Sequence, residues 1–286
     1  MKIPAPAKIN LRLEVLGRLE NGYHLLRMFN LTVSLLDELE LELIPRGIEI
    51  ESDDPAIPAG PANSVHRALS YLQKRFALDF GARVRLRKQI PAGAGLAGGS
   101  SDAAAVLRAL MAEFGIRREQ LDLGELAYQV GADVPYLLTG GPAWVEGIGE
   151  KIEPVAGFPA SYYLLVKPPF ESLTREVYTA FQPRPDLTIP PKKAILDAFA
   201  NGNERDFCVN QLESAVFARH QDLEKLKSEL IRLGARAAVM SGSGSALVGL
   251  FATRAQAEEG AREILKRMPD LWGRVVAEYQ PGAAGN

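Results

Sequence analysis

The sequence contains little cysteine and no excess of charge of either sign. Cys208 is the single cysteine in the chain of 286 residues, which excludes a framework of internal disulfides and is typical of a reducing, cytoplasmic setting. The 33 basic and 35 acidic residues give a net charge of -2, so the chain lacks the broad basic surface that binds nucleic acids or anionic membranes. We therefore expect neither a nucleic-acid nor a membrane partner, and any anion site must be local.

Metal-ligand clusters and long apolar runs are missing as well. His24, His66 and His220 are scattered, and no group of cysteine, histidine and carboxylate residues has the spacing of a zinc site. Charged residues interrupt the first 20 positions, and no run is long and apolar enough to span a bilayer. We expect no secretory signal, no transmembrane helix and no metal site built from protein ligands alone.

Residues 91–101 form a glycine-rich segment that leads directly into a helical pattern. They are Pro91, Ala92, Gly93, Ala94, Gly95, Leu96, Ala97, Gly98, Gly99, Ser100 and Ser101. Glycines allow tight turns and a close approach of backbone N–H groups to an anion. Apolar side chains recur with helical spacing from Ala103 to Phe114, which predicts a helix that begins near Ser100, is capped by serine and points its positive end at the segment. We interpret the segment as a loop that binds a nucleotide phosphate.

Two other interpretations of this loop compete with a site for a nucleotide phosphate. The spacing Gly93-x-Gly95-x-x-Gly98 also matches the dinucleotide fingerprint, but residues 83–88 alternate charged and apolar side chains like a half-exposed antiparallel strand. No acidic residue ends a second apolar strand behind the loop, and a Walker A ending is absent. The remaining alternative is a loop whose glycines only let a helix pack closely.

Apolar periodicity divides the chain into strands and helices. Alternation over residues 9–15 predicts that the chain opens with half-buried antiparallel strands. Asn63 precedes a helical pattern and is typical of its N-cap. Prolines within residues 154–159 indicate a junction, beyond which short strands and helices predict a small α+β unit. We expect two domains, residues 1–157 and residues 158–286.

Two polar residues of the opening strand and one later carboxylate are candidates for chemistry. Because the odd positions of the strand are apolar, Lys8 and Asn10 project together from the opposite face. A lysine there is usually solvated, whereas a lysine beside phosphate would stabilise transferring charge. Asp133 lies two residues before Pro135, which is the position expected of a helix N-cap. A carboxylate that accepts hydrogen bonds from backbone N–H groups is also suited to act as a general base. Both interpretations of each residue stay open at this point.

Two turns carry further candidate ligand groups. Tyr23 and His24 form either an ordinary hairpin tip or an aromatic pair that stacks on a planar base. The turn at residues 241–245 is either a flexible connection or a set of backbone donors that line an anionic pocket.

Five motifs, taken in order, resemble the GHMP kinase superfamily across nearly the whole chain. They are Pro6-Ala7-Lys8-Ile9-Asn10-Leu11, Gly22-Tyr23-His24, residues 91–105, Gly131-Ala132-Asp133-Val134-Pro135 and Met240-Ser241-Gly242-Ser243-Gly244. The resemblance implies a two-domain α+β fold, with an N-terminal mixed α/β domain of antiparallel strands that carries the phosphate loop and a ferredoxin-like C-terminal domain. The first two motifs are similar to the branch of the superfamily that acts in the non-mevalonate route of isoprene biosynthesis.

The resemblance also implies the reaction. It implies an ATP-dependent kinase that phosphorylates the 2-hydroxyl group of a cytidine diphosphate derivative of methylerythritol, a small-molecule substrate. The phosphates of ATP would lie against residues 91–101, with Asn63 near the adenine, and Mg²⁺ would be held largely by the phosphates. Asp133 would be the base and Lys8 its partner.

A set of substrate-binding residues is implied in the same way. They are Asn10, Tyr23, His24, Tyr178, Ser241, Gly242 and Ser243. Among them, Tyr23 and His24 would contact the cytosine, with Tyr178 as a second stacking face, and Asn10 would contact the methylerythritol portion.

Two residues of the loop region depart from the superfamily's pattern. Ala97 stands where glycine is common, a change without cost if its φ is negative. Asp102 stands where asparagine is frequent, which points to a role in capping or in the outer shell of Mg²⁺.

Other functions remain as alternatives. A sister kinase of homoserine, mevalonate or a sugar would share these motifs, and so would a nucleotide sensor without catalysis. The presence of both Lys8 and Asp133 argues against the sensor. Either a monomer or a homodimer is compatible with the sequence.

Overall fold

The computed structural model describes residues 1–182 and 190–279, whose strands form two sheets. The strands are β1 (Lys2–Arg18), β2 (His24–Ile44), β3 (Ile48–Ser52), β4 (Gly81–Arg87), β5 (Ala143–Gly147), β6 (Lys151–Pro154), β7 (Tyr162–Lys167), β8 (Ala237–Met240), β9 (Leu247–Phe251) and β10 (Trp272–Ala277). The helices are α1 (Ser64–Phe76), α2 (Gly98–Glu113), α3 (Leu123–Gln129), α4 (Val134–Thr139), α5 (Thr174–Ala180), α6 (Lys192–Ala200), α7 (Glu213–Phe217), α8 (Gln221–Arg232) and α9 (Arg254–Arg267), with 3-10 turns at Arg118–Gln120 and Glu204–Asp206.

The first sheet has six strands in the order β3-β4-β2-β5-β6, with β1 paired to β2. Strand β4, just before the glycine-rich loop, is antiparallel to β2 and parallel to β3. Its apolar side chains Ala82, Val84 and Leu86 are buried, whereas Arg85 is exposed. The half-exposed strand predicted before the loop is therefore confirmed, and the sheet lacks the parallel order of a dinucleotide fold.

Strand β1 is buried on both faces, although the sequence predicted a half-buried strand. Every residue from Ala5 to Glu14 is buried. A later part of the chain covers the polar face, since the Arg12 side chain donates through Nη1 to the carbonyl of Phe207 at 2.8 Å. The prediction was wrong because apolar alternation reports only which face joins the hydrophobic core, and here a second layer covers the polar face.

The second sheet has the order β10-β7-β9-β8, and each neighbouring pair is antiparallel. Helices α5 to α8 connect β7 to β8, and α9 connects β9 to β10. This topology, in which two outer strands flank the first and third strands of the unit, confirms the ferredoxin-like C-terminal unit. Together the two sheets give the mixed α+β fold that the sequence predicted.

The starts of the first two helices differ in how they are capped. Asn63 Oδ1 accepts a hydrogen bond from Val65 N at 2.8 Å, which confirms Asn63 as the N-cap of α1. Helix α2 begins at Gly98, two residues before Ser100, which confirms the predicted helix; its N-cap position is taken by Ala97 without a side-chain hydrogen bond. The predicted serine caps were wrong because a left-handed residue, Ala97 with φ of 58°, turns the loop into the helix.

Apolar side chains of the two sheets pack together. Ile9 and Phe29 of the first sheet share one buried cluster with Tyr163 and Val248 of the second. This common core holds the loops between the sheets in place, and it thereby fixes the positions of the residues that these loops present to solvent.

The chain passes from the first sheet to the second between Pro154 and Tyr162. The division into residues 1–157 and residues 158–286 stays a prediction, and residues 183–189 and 280–286 of its second part lie outside the described ranges. No helix within the described ranges is long and apolar enough to cross a membrane.

Candidate active site

A cleft of about 450 Å³ lies at the N-terminal end of α2. It brings together most of the predicted site residues, namely Lys8, Pro91, Ala92, Gly93, Ala94, Gly95, Leu96, Ala97, Gly98, Gly99, Ser100, Asp133, Tyr178, Gly242 and Ser243. The residues that line the cleft do not include the other predicted ones: Asn10, Tyr23, His24, Asn63, Ser101 and Ser241. Residues from both halves of the chain therefore line one cleft, with the glycine-rich loop along one side.

The glycine-rich loop depends on its glycines where it meets the turn at residues 241–245. Gly93 and Gly95 have φ angles of 59° and 74°, in the region that favours glycine. A Cβ at Gly95 would lie 2.0 Å from the carbonyl oxygen of Ser241, and Ser245 N donates to the carbonyl of Gly93 at 3.3 Å. The second turn thus holds the loop backbone in one conformation before any ligand binds.

The turn at residues 241–245 is packed and buried, so its interpretation as a flexible connection was wrong. Ser241 is fully buried, and its Oγ donates to the carbonyl of Gly95 at 2.9 Å. Asn210 Nδ2 donates to the carbonyl of Gly242 at 2.7 Å. Ser241 therefore supports the glycine-rich loop, while Gly242 and Ser243 line the cleft.

The two serines at the start of α2 point in different directions. Ser100 lines the cleft, whereas the Oγ of the buried Ser101 donates to the carbonyl of Pro6 at 2.6 Å. Ser101 therefore joins α2 to β1. The first N–H groups of α2 have no acceptor within the helix, so together with Ser100 they offer donors to an anion.

Lys8 and Asp133 meet at the wall of the cleft. Lys8 Nζ lies 3.5 Å from Asp133 Oδ1 and donates to Asn10 Oδ1 at 2.7 Å. The Lys8 side chain is only 4% exposed, against 31% for Asp133. The alternative of a solvated Lys8 was therefore wrong, since Asn10 and Asp133 compensate for the cost of burying its charge. Asn10 is itself held by Asn30, whose Oδ1 accepts from Asn10 Nδ2 at 2.6 Å.

Asp133 takes the N-cap position of α4 without capping the helix. Pro135 lies in the first turn, as predicted, but the Asp133 side chain accepts no capping hydrogen bond. Its φ and ψ of -83° and -12° are helical rather than extended, which turns the carboxylate away from the N–H groups of the first turn. The expected backbone donors are thus replaced by the Lys8 ammonium, and the carboxylate points into the cleft.

The side chain of Asn63 is occupied by local contacts. Besides capping α1, its Nδ2 donates to the carbonyl of Pro58 at 2.7 Å. The next residue, Ser64, lines the cleft. Contact between Asn63 and the adenine stays a prediction.

Each aromatic residue predicted to hold the cytosine packs against another aromatic ring. The His24 ring stacks on Tyr178 at 4.7 Å between centroids, and Tyr23 makes an edge contact with Tyr128 at the same distance. Burial, with help from the charge of Arg18, lowers the pKa of His24, so its imidazole is neutral at pH 7. Burial raises the pKa of Tyr178, which keeps its phenol protonated. Two neutral rings are thus stacked on each other, and one of them, Tyr178, lines the cleft.

Sequence reasoning missed a buried charge cluster beneath the loop. Lys88 lines the cleft, and its Nζ pairs with Oδ2 of both Asp37 and Asp102. A signal was present, because Asp37 interrupts the apolar alternation of β2 and Lys88 continues the inward positions of β4. The predicted role of Asp102 in capping was wrong, since its carboxylate faces Lys88 rather than the start of α2.

A metal ion would find few protein ligands here. Within residues 1–182 and 190–279 no group of three or more histidine, cysteine or carboxylate side chains is placed to hold a metal. The glycine-rich loop that lines the cleft and the N–H groups at the start of α2, which have no acceptor within the helix, instead fit the phosphates of a nucleotide.

Comparisons with known proteins agree with these features. The family model described as GHMP kinases N terminal domain matches residues 63–141, and the model described as GHMP kinases C terminal matches residues 193–270. A protein of Clostridium tetani (strain Massachusetts / E88) named 4-diphosphocytidyl-2-C-methyl-D-erythritol kinase is 38% identical over 275 residues, which cover 95% of this chain and 98% of that protein.

Solved structures give the same picture of the fold. The crystal structure of a 4-(cytidine 5'-diphospho)-2C-methyl-D-erythritol kinase matches with a TM-score of 0.79 and 37% identity, over 98% of this chain and 100% of that one. A homoserine kinase from Cytophaga hutchinsonii matches with a TM-score of 0.66 and 18% identity, over 98% and 94% of the two chains. At that low identity the second likeness shows the shared fold and nothing about the substrate.

Proposed function

The chain belongs to the GHMP kinase family, and on that premise we propose that it phosphorylates the 2-hydroxyl group of 4-diphosphocytidyl-2-C-methyl-D-erythritol at the expense of ATP. The products are ADP and the 2-phosphate, on the non-mevalonate route to isoprenoid precursors. The observation that carries the proposal is the pairing of Lys8 with Asp133 in the wall of the cleft that the glycine-rich loop borders. Relatives of that name span this chain almost from end to end, which favours this acceptor over homoserine, mevalonate or a sugar.

The loop and the start of α2 would hold the ATP phosphates. The backbone of residues 91–99 is fixed by the second turn, and Ser100 adds a hydroxyl donor. Mg²⁺, when bound, would neutralise charge on the phosphates, whose oxygens would supply most of its ligands because the described residues contain no cluster of metal-ligating side chains. We place the adenine near Asn63 and Ser64, on the far side of the loop.

Asp133 would act as the base. Its carboxylate accepts the proton of the substrate hydroxyl while the oxygen attacks the γ-phosphorus in line, so the new O–P bond forms as the bond to ADP breaks. The Lys8 ammonium, held by Asn10, orients that carboxylate and opposes negative charge on the transferred group. The two groups need no rearrangement to do this, because they are already in contact.

The cytidine portion would be recognised at the aromatic edge of the cleft. We assign the cytosine to Tyr23, His24 and Tyr178, whose faces offer stacking contacts. Gly242 and Ser243 also line the cleft, where they would contact the rest of the substrate.

An assay of ADP release tests the reaction. With the cytidine substrate, Asp133→Asn and Lys8→Ala should each lower kcat at least about 100-fold, while the Kd for ATP changes by less than about threefold. Asp79→Asn, which removes an exposed carboxylate outside the cleft, is the matched control.

Three results would contradict the proposal. Near-normal turnover in both variants would contradict the roles assigned to Asp133 and Lys8. Turnover with homoserine, mevalonate or a sugar alone would show that the cytidine derivative is not the substrate. Binding of ATP without transfer to any of these alcohols would favour the nucleotide sensor. A cytoplasmic location and a monomeric or homodimeric state stay predictions that this assay does not address.

A further inference from the structure

Both ends of the glycine-rich loop are tied to one carboxylate of β2. Asp37 Oδ1 accepts hydrogen bonds from Gln89 N at 2.6 Å and Ile90 N at 2.9 Å, just before the loop. Asp37 Oδ2 pairs with Lys88 Nζ, which also donates at 2.5 Å to Asp102 Oδ2 in the first turns of α2, just after the loop. The cluster of Asp37, Lys88 and Asp102 thus forms the floor beneath the loop.

The two carboxylates of this cluster are not equally satisfied. Asp37 has two backbone donors in addition to Lys88, whereas Asp102 Oδ1 is buried without a hydrogen-bond partner. Asp102 is 2% exposed and Asp37 is fully buried. Hydrogen bonds favour the ionised form of a carboxyl group, and Asp102 Oδ1 receives none.

The cluster also carries more negative than positive charge. With both carboxylates ionised, one lysine leaves a net charge of -1 directly under a loop that would bind phosphates. A Cβ on Gly98, the first residue of α2, would lie only 3.5 Å from Asp37 Oδ2, which shows how close the cluster is to the loop backbone. Bound phosphates would therefore repel the cluster and attract Lys88.

The ionisation of Asp102 is set by its surroundings. Burial raises the pKa of Asp102 to about 7, although the facing charge of Lys88 opposes this effect and the facing charge of Asp37 adds to it. Burial acts to lower the pKa of Lys88, but the two carboxylates outweigh it and the net shift is upward. A further negative charge nearby would raise the pKa of Asp102 again.

We propose that Asp102 is a positioning residue for ATP, which takes up a proton from solvent when the nucleotide binds and so releases Lys88 from Asp102 toward the phosphates. This inference rests on the proposed function, because it requires that the loop bind ATP. The step moves one proton onto a carboxylate oxygen and breaks no covalent bond. It makes ATP binding stronger at low pH and weaker as the pH rises through the range in which Asp102 ionises.

Isothermal titration calorimetry of Mg-ATP binding, without the acceptor substrate, tests this coupling. Measured near pH 7.5 in two buffers of different ionisation enthalpy, the wild-type protein should take up about 0.3 to 0.5 of a proton per ATP bound. Its affinity for ATP should fall by up to about tenfold from pH 6 to pH 9.

Variants separate the coupling from a merely structural role of the cluster. Asp102→Asn should reduce proton uptake to near zero and make ATP affinity independent of pH. Asp79→Asn should behave as the wild type, because Asp79 is exposed. Lys88→Gln should also abolish uptake, since without the ammonium the two carboxyl groups hold a proton before ATP arrives. This second variant keeps the test decisive if Asp102→Asn does not fold.

The outcomes are distinguishable. ATP binding with the same proton uptake in the wild type, Asp102→Asn and Lys88→Gln would overturn the inference and leave the proposed function intact. The absence of proton uptake in the wild type would overturn it as well. No ATP binding at any pH would overturn the proposed function, and the inference with it.

Discussion

The imidazole of His24 stacks on the phenol ring of Tyr178 with 4.7 Å between the ring centroids and 30° between the planes. A base inserted between two rings needs about twice the stacking distance of 3.4 Å, so these rings must separate, or the cytosine must stack on an outer face. Tyr178 also lines the cleft that contains Lys8 and Asp133. The predicted cytosine site is therefore next to the predicted phosphoryl-transfer site.

Removal of the Tyr178 ring should weaken recognition of the cytidine substrate. Stacking of one base on an aromatic side chain contributes about 1–3 kcal/mol, so Tyr178→Ala should raise KM for the acceptor by about 5- to 150-fold and leave KM for ATP within about twofold. Steady-state kinetics with each substrate varied in turn measures both constants. Tyr178→Phe keeps the ring and should resemble the wild type; an unchanged acceptor KM in Tyr178→Ala would remove Tyr178 from the site.

A side chain at Gly95 should destabilise the loop. The Cβ of Gly95→Ala would lie 2.0 Å from the carbonyl oxygen of Ser241, and alanine is also strained at φ of 74°. Because the obstacle is backbone that cannot rotate away, we expect a loss of about 2–4 kcal/mol in the free energy of unfolding. Chemical denaturation measures this loss.

Gly99→Ala is the matched control in the same loop. The nearest atom to its Cβ is Ser64 Oγ at 3.6 Å, an ordinary contact, and Gly99 lies within helix α2. Its stability should stay within about 1 kcal/mol of the wild type. Equal losses in the two variants would show that the contact with Ser241 is not the cause.

Glycine at position 97 should stabilise the fold. Ala97 has a left-handed φ of 58°, a conformation that costs an alanine about 1–2 kcal/mol and a glycine little. After subtraction of the greater chain entropy of glycine in the unfolded state, Ala97→Gly should gain up to about 1 kcal/mol. Thermal unfolding measures the gain.

Ala77→Gly tests the same effect away from the cleft. Ala77 is left-handed with φ of 50° at the C-cap of α1, where glycine is the preferred residue. Both variants should unfold at higher temperature than the wild type, and only Ala97→Gly should alter KM for ATP. Destabilisation by both would contradict this account of left-handed strain.

The stability of the protein should depend on pH through Asp102. The folded-state pKa of Asp102 is raised from 3.8 to about 7, so its contribution to stability is present below about pH 4 and is lost as the pH rises to about 7. The side chain of the Asp102→Asn variant cannot ionise, so this variant does not lose that contribution. Between pH 4 and pH 8 the unfolding temperature of the variant should therefore rise relative to that of the wild type. A difference between the two proteins that does not change with pH would contradict the assignment.

Local patterns in the sequence were enough to predict the glycine-rich loop and many of the elements around it. Four glycines before a helical period predicted the loop at residues 91–101, and alternation predicted the half-exposed strand β4. Asn63 was identified as an N-cap because capping involves residues only two positions apart. Such features depend on residues that are close together in the chain, so the pattern of residue types predicts them.

The burial of charged side chains could not be predicted in the same way. Lys8 lies on the polar face of its strand, and only the layer packed over that face decides that it is buried rather than solvated. Asp37 and Lys88 interrupt apolar patterns on two different strands, which marks each as unusual without showing that they pair. Pairing is a property of the sheet register and of the position of α2 above it.

By itself, then, the sequence determined the glycine-rich loop before α2, the N-cap at Asn63 and the resemblance to a kinase family, because each depends on residue types at fixed local spacing. The tertiary structure decided that Lys8 contacts Asp133, that Ala97 is left-handed, that His24 stacks on Tyr178, and that Asp102 shares Lys88 with Asp37. Each of these depends on contacts between distant segments. The chemistry of buried charges depends on the distances between them and on their removal from water, and both are set only when those segments pack together.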